Sequence, residues 1–176
     1  MDEVNVLLKE WNILVYERPK YFSRIFFAIL FLLILININL GIDYTGTDFN
    51  DVFWLLFGLM LVITALIVWI SVFVVSLFVT FLVKAISKKN VVNFRHFFCL
   101  ISLASIFLTI GDICVVLLIG DINYPYIFRI FNPFFFLSYL VIYQFFIKAY
   151  KLVQKQALLI ISILVLFHVT IIILGG

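Results

Sequence analysis

Long runs without a charged residue dominate this sequence and restrict what the chain can fold into. Residues 96–120 contain one charge, Asp112, and residues 122–147 contain one, Arg129. Three further runs contain no Lys, Arg, Asp or Glu at all, namely residues 25–42, 52–83 and 156–176. A helix that crosses a bilayer needs roughly 20 apolar residues, so every run except the first meets that length and the first approaches it. With 66% hydrophobic and 12% charged residues, the composition excludes a water-soluble fold.

The predicted fold is all-α, an integral membrane bundle of five transmembrane helices in residues 25–176. The five spans cover about residues 25–42, 52–83, 96–120, 126–147 and 156–174. The second run is too long for a simple crossing and too short for two crossings with a turn. It also has no Pro near its middle, which predicts one tilted helix that extends past the bilayer at its inner end.

Residues 1–24 form a predicted cytoplasmic segment with an amphipathic helix. Val4, Leu7, Leu8 and Trp11 recur at helical spacing between charged residues, and Pro19 ends the pattern. This helix either lies on the inner leaflet or under the bundle, or binds a partner through its apolar face. The run that follows lacks a small-residue cleavage site, so we expect span one to be a retained anchor and not a signal peptide.

The basic residues predict the orientation in the membrane. Eleven of the twelve Lys and Arg precede span one or lie between spans two and three or four and five. The other two loops contain Asp43, Asp48, Asp51 and Asp121 and no basic residue. By the positive-inside rule, the N-terminus is cytoplasmic and the C-terminus lies outside a cytoplasmic (cell) membrane.

Polar side chains within the apolar runs are the candidate functional residues. Ser102, Ser105, Thr109 and Asp112 are spaced 3, 4 and 3 apart, which places them within an arc of roughly 80° on one helix. Such a face packs against other helices or lines a cavity. Six polar side chains share the outer half of the predicted spans: Asp112, Arg129, His168, Asn132, Asn37 and Asn39.

The interpretation of Asp112 remains open between three alternatives. An isolated carboxylate in hydrocarbon costs several kcal/mol, and Arg129 follows across a very short loop, so an Asp112–Arg129 pair that fixes helix register is one interpretation. A proton- or substrate-linked site with His168 as the titrating partner is the second. In the third, Arg129 snorkels to the interface and Asp112 is protonated.

Signatures of catalysis and of metal or nucleotide binding are missing from the sequence. There is no HExxH motif, no GxSxG elbow, no intramembrane glutamate pair and no P-loop. Cys99 and Cys114 lie about 22 Å apart if they share a helix, which is too far for a disulfide. We therefore expect no enzyme activity, no catalytic residues, no cofactor, no metal and no nucleic-acid partner.

Three segments resemble the Yip family of small five-span membrane proteins. They are YERPKYFSRI before span one, KKNVVNFRHFFCLISLASIFLTIGD into span three, and FFIKAYKLVQKQALLIISILVLF into span five. The resemblance implies a non-enzymatic membrane factor. Eukaryotic members are linked with vesicle trafficking and Rab-type GTPases, and some bacterial relatives resemble accessory subunits of ABC-type exporters or peptide-resistance systems.

The function expected from the sequence is that of an accessory or interaction subunit for other membrane proteins, such as an ABC-type exporter. The basic inner loops and the N-terminal helix are the expected contact surfaces, beside the lipid bilayer itself. The alternative is a small permease or ion-coupled carrier that uses Asp112, Arg129 and His168.

The orientation has a direct test. A reporter fused after Gly176 should read as outside the cytoplasm, because five spans place the two termini on opposite sides. A paired topology reporter, active only in the cytoplasm, checks the same fusion. An inside reading would contradict the five-span arrangement.

Overall fold

The computed structural model describes residues 18–45, 51–87, 92–119, 128 and 130–175. Within these residues the protein is all-helical, with five helices and no strand. The helices are α1 (Pro19–Thr45), α2 (Asp51–Ser87), α3 (Phe94–Ile119), α4 (Pro133–Lys148) and α5 (Gln154–Gly175). The all-α prediction is therefore confirmed, whereas the predicted N-terminal amphipathic helix falls mainly on residues 1–17, outside the described part.

Four of these helices are long and apolar enough to cross a membrane, which makes the chain a multi-pass integral membrane protein. They are α1, α2, α3 and α5. The second is continuous over 37 residues, in agreement with the prediction of one long helix in place of two short ones. The first begins at Pro19, six residues before the predicted start, because proline is well suited to the first helical position.

The helix α4 is shorter than the span predicted at residues 126–147. It has 16 residues, which corresponds to about 24 Å, less than the roughly 30 Å of the hydrocarbon layer. Its start is fixed by Asn132, which is extended at φ −66° and ψ 129° and accepts a hydrogen bond from the Phe134 amide through its side chain. Pro133 then occupies the first turn. Five full crossings thus remain a prediction.

Helices that follow one another along the chain alternate in direction, and basic side chains therefore lie together at one end of the bundle. The Gln156 amide donates to the Ile86 carbonyl at 3.2 Å, so α5 starts where α2 ends. Asn39 and Phe57 line one groove between α1 and α2, which makes these two helices antiparallel. The residues we call the basic end are Lys20, Arg24, Lys84, Arg95, Lys148, Lys151 and Lys155.

The helix α3 forms the centre of the packing. It contacts α1, α2 and α4, while α5 packs on α2 and α4. Its buried side chains include Phe97, Leu100 and Ser102, and its buried apolar residues belong to one core cluster with residues of the other four helices. Eight of the ten buried residues of α3 lie between His96 and Ile106, so the other helices surround mainly the first half of α3.

The helices α3 and α4 approach each other closely at Gly111. A Cβ added there would lie 2.5 Å from the Asn132 side-chain nitrogen and 2.9 Å from the Phe134 Cβ. Glycine is therefore required at this crossing, since any side chain would push the capped start of α4 away.

Replacing Gly111 should destabilise the bundle. We expect Gly111→Ala to lower the free energy of unfolding by about 1–3 kcal/mol, the usual cost of overpacking. Gly58→Ala is the matched control, because nothing lies within 4 Å of its added Cβ. The control should be neutral or stabilising by up to about 1 kcal/mol, as alanine favours helix. Unfolding in mild detergent measures both, and equal effects would contradict the close approach.

Candidate functional site

Most hydroxyl groups within the helices are satisfied by their own backbone. Ser76 donates to the Val72 carbonyl at 2.5 Å, and Ser102 donates to the Phe98 carbonyl at 2.7 Å. Further hydroxyls that bond a carbonyl three or four residues earlier are those of Thr80, Ser87, Thr109, Ser138 and Thr170. Such bonds let a polar side chain sit in apolar surroundings without a partner on another helix.

A cavity of about 310 Å³ lies between α2, α3, α4 and α5. Its polar lining consists of Ser71, Ser105, Ser138, Tyr139 and His168. Its apolar lining consists of Val72, Val75, Ile101, Ala104, Leu108, Ile142, Leu164, Phe167 and Ile171. The polar residues lie near the middle of their helices, so the cavity sits at mid-height of the bundle. Volume and lining are those of a small-molecule site, in which a few polar groups orient an otherwise apolar ligand.

Tyr139 and His168 form a polar contact across the cavity. The Tyr139 hydroxyl lies 2.8 Å from His168 Nδ1 and 3.4 Å from the Leu164 carbonyl. The imidazole also packs on the Phe135 ring, with 5.2 Å between ring centres. This pair links α4 to α5 by side-chain chemistry.

The structure describes five of the six polar residues that share the predicted outer half, and it places them in different surroundings. His168 faces the cavity, whereas Asn132 caps α4 beside Gly111. Asn39 lines the groove between α1 and α2, and Asn37 lies half-buried on α1. Asp112 is half-buried and follows Gly111 on α3. Arg129 lies outside the described residues, so the Asp112–Arg129 pair stays a prediction.

The polar face predicted on α3 has the environment expected of it. Ser102 is fully buried and Ser105 lines the cavity. Sequence reasoning did not find Tyr139 or Ser71, because neither side chain is charged and both lie within long apolar runs. The sequence does contain a signal for Tyr139: it directly follows a serine in span four, at a depth close to that of His168.

A second polar contact between helices lies at the basic end. His96 Nδ1 lies 3.0 Å from the Tyr150 hydroxyl, which also accepts from the Asn93 amide at 3.4 Å. The Tyr150 ring stacks on Phe97, with ring centres 4.9 Å apart. Because both polar partners are buried, this contact serves to hold the start of α3 against the end of α4. Across the described residues, no group of three or more His, Cys, Asp or Glu is placed to hold a metal ion.

Removing the Tyr139 hydroxyl should weaken the contact between α4 and α5. We expect Tyr139→Phe to lower the free energy of unfolding by about 0.5–1.5 kcal/mol, the net value of one hydrogen bond in this setting. Tyr143→Phe on the same helix is the control, because no described residue hydrogen-bonds its hydroxyl. Thermal unfolding in detergent compares the two, and an equal loss would show that the Tyr139 bond carries no net stability.

Comparison with known proteins gives no relative for this chain. No protein-family model, curated protein or solved structure matches it. The resemblance to the Yip family accordingly stands on its three segments and enters below as a proposal.

Proposed function

We propose that this integral membrane protein is a non-enzymatic accessory or interaction subunit for other membrane proteins, of the Yip type. The observation that carries the proposal is that the described residues bury no side chain in the first half of α2. The three segments that resemble the Yip family support it independently, because they imply the same role.

No side chain of residues 57–71 is buried within the described chain, and we call this stretch the uncovered segment. Its large apolar side chains that are exposed are Leu59, Met60, Val62, Ile63, Leu66, Ile67, Trp69 and Ile70. Burial in α2 begins only at Val72 and continues with Ser76, Val79 and Val83 toward the basic end. A helix that is anchored over one half and free over the other offers a surface for a partner helix.

Small residues on the uncovered segment would permit close approach by a partner. Gly58 and Ala65 are seven residues apart and lie on the same side of the helix, where Ala65 lines a groove that is also lined by Phe27 and Phe31 of α1. An added Cβ at Gly58 meets nothing within 4 Å, so the space above it is open. In membranes, helices associate chiefly through packing at such small residues, because lipid supplies no hydrophobic driving force between them.

The carrier alternative has less support from the geometry. It depends on Asp112, Arg129 and His168 acting together. His168 instead contacts Tyr139 and Phe135. The accessory role is therefore the better-supported proposal.

Site-specific crosslinking in native membranes tests the proposal. A photoreactive phenylalanine analogue at Leu66 should yield one crosslinked protein of constant mass, because Leu66 lies on the uncovered segment and is 55% exposed. The same analogue at Leu166 of α5, which is 70% exposed, is the control for random collisions.

A second variant tests whether the crosslinked product at Leu66 depends on helix packing. Gly58→Phe should reduce the Leu66 product without changing thermal stability, since the open space over Gly58 would be filled on the outside only. Equal products from Leu66 and Leu166, or lipid adducts alone at both sites, would contradict the proposal.

A further inference from the structure

We propose that the cavity between α2, α3, α4 and α5 binds a small neutral lipophilic molecule that carries one hydroxyl or carbonyl group. This goes beyond the accessory role and does not rest on it, because ligand binding requires no protein partner. The inference follows from three properties of the cavity: its unused polar groups, its lack of charge and its opening.

Two serine hydroxyls at the cavity have no hydrogen-bond partner among the residues that the structure describes. They belong to Ser71 on α2 and Ser105 on α3. Ser138, which lines the same cavity, donates instead to the Phe135 carbonyl at 2.7 Å. Hydroxyl groups in apolar surroundings are normally satisfied, so Ser71 and Ser105 are available to a bound molecule.

The His168 imidazole offers a third unused group. The Tyr139 hydroxyl donates to the Leu164 carbonyl at 3.4 Å and lies 2.8 Å from His168 Nδ1. The other ring nitrogen, Nε2, has no partner in the described part of the chain; it accepts a hydrogen bond when Nδ1 carries the proton and donates one when Nδ1 does not. A ligand hydroxyl can bond Nε2 in either tautomer, and the two serine hydroxyls can donate to a ligand oxygen.

The lining also sets the charge and the size of the ligand. No Asp, Glu, Lys or Arg is among the lining residues that the structure describes, so a charged ligand would lack a counter-ion in apolar surroundings. At about 30 Å³ per water-sized group, 310 Å³ holds on the order of ten non-hydrogen atoms. The walls are mainly aliphatic, as with Ile142 and Leu164, which favours a hydrocarbon body.

The cavity opens sideways between α2 and α5. Ser71 is exposed, as are Phe167 at 47% and Ile171 at 52%, although all three line the cavity. Phe167 also packs against Phe78 on α2, with ring centres 5.6 Å apart, and closes one side of the gap. Because these helices are apolar enough to lie in a membrane, the ligand would enter from the lipid phase.

Photolabelling with a diazirine-bearing octanol tests the site in phosphatidylcholine vesicles. Octanol has about the size that the cavity admits and one hydroxyl. We expect adducts on cavity-lining residues such as Ile142 and Phe167, with displacement by excess octanol. Ala104→Phe should reduce these adducts about tenfold, equivalent to about 1.4 kcal/mol, because it fills the space. Ser162→Phe on the exposed side of α5 is the control and should leave them unchanged.

A second comparison tests whether a hydrogen bond contributes to ligand binding. His168→Phe keeps an aromatic ring but removes the polar Nε2, so it should reduce labelling by the octanol probe and spare labelling by a diazirine-bearing octane. If Ala104→Phe is not recovered folded, Ser71→Leu at the opening replaces it. Adducts spread evenly over exposed apolar residues and insensitive to either filling variant would overturn the site. Equal cavity labelling by octane and octanol, unaffected by His168→Phe, would overturn the hydroxyl or carbonyl class.

Discussion

Hydrogen-bond satisfaction in apolar surroundings is the constraint on which this structure depends. Every described segment long enough to cross a membrane is helical, because a helix pairs its own amides and carbonyls. The same economy extends to side chains such as Ser76, Ser102 and Thr109, which bond carbonyls one turn earlier. Among the described residues, few polar side chains lack such a bond to their own helix. These side chains can interact with another helix or with a ligand.

Packing is concentrated around α3 and toward the basic end. Gly111 lets α4 approach at one level, and the Phe97–Tyr150 stack joins the same two helices at the other. Between these contacts the helices separate enough to leave the cavity. The first half of α2 has no buried side chain among the described residues, so the fold combines a packed core with a helix half that is largely uncovered. Both proposals, for a partner and for a ligand, derive from that uneven packing.

The sequence correctly predicts a helical membrane protein, because each charge-free run marks a segment that can cross a bilayer and gives the depth of its residues. Depth does not give the lateral position of a residue. The contact between His168 and Tyr139, and the place of Asn39 in a separate groove, could therefore not be predicted from depth. The start of α4 is predictable from the sequence, because an asparagine before a proline is typical of a helix start. Depth alone instead groups Asn132 with the other polar residues of the outer half. The Asp112–Arg129 pair remains a prediction from sequence.

The central claim is that the uncovered half of α2 is occupied by another protein in the native membrane. The most direct measurement is native mass spectrometry of the tagged protein, extracted with its surrounding lipid by a polymer and without detergent. The account predicts a constant protein mass above the 20.5 kDa of one chain, contributed by a second, different chain. Recovery of the 20.5 kDa chain with lipid alone would contradict it.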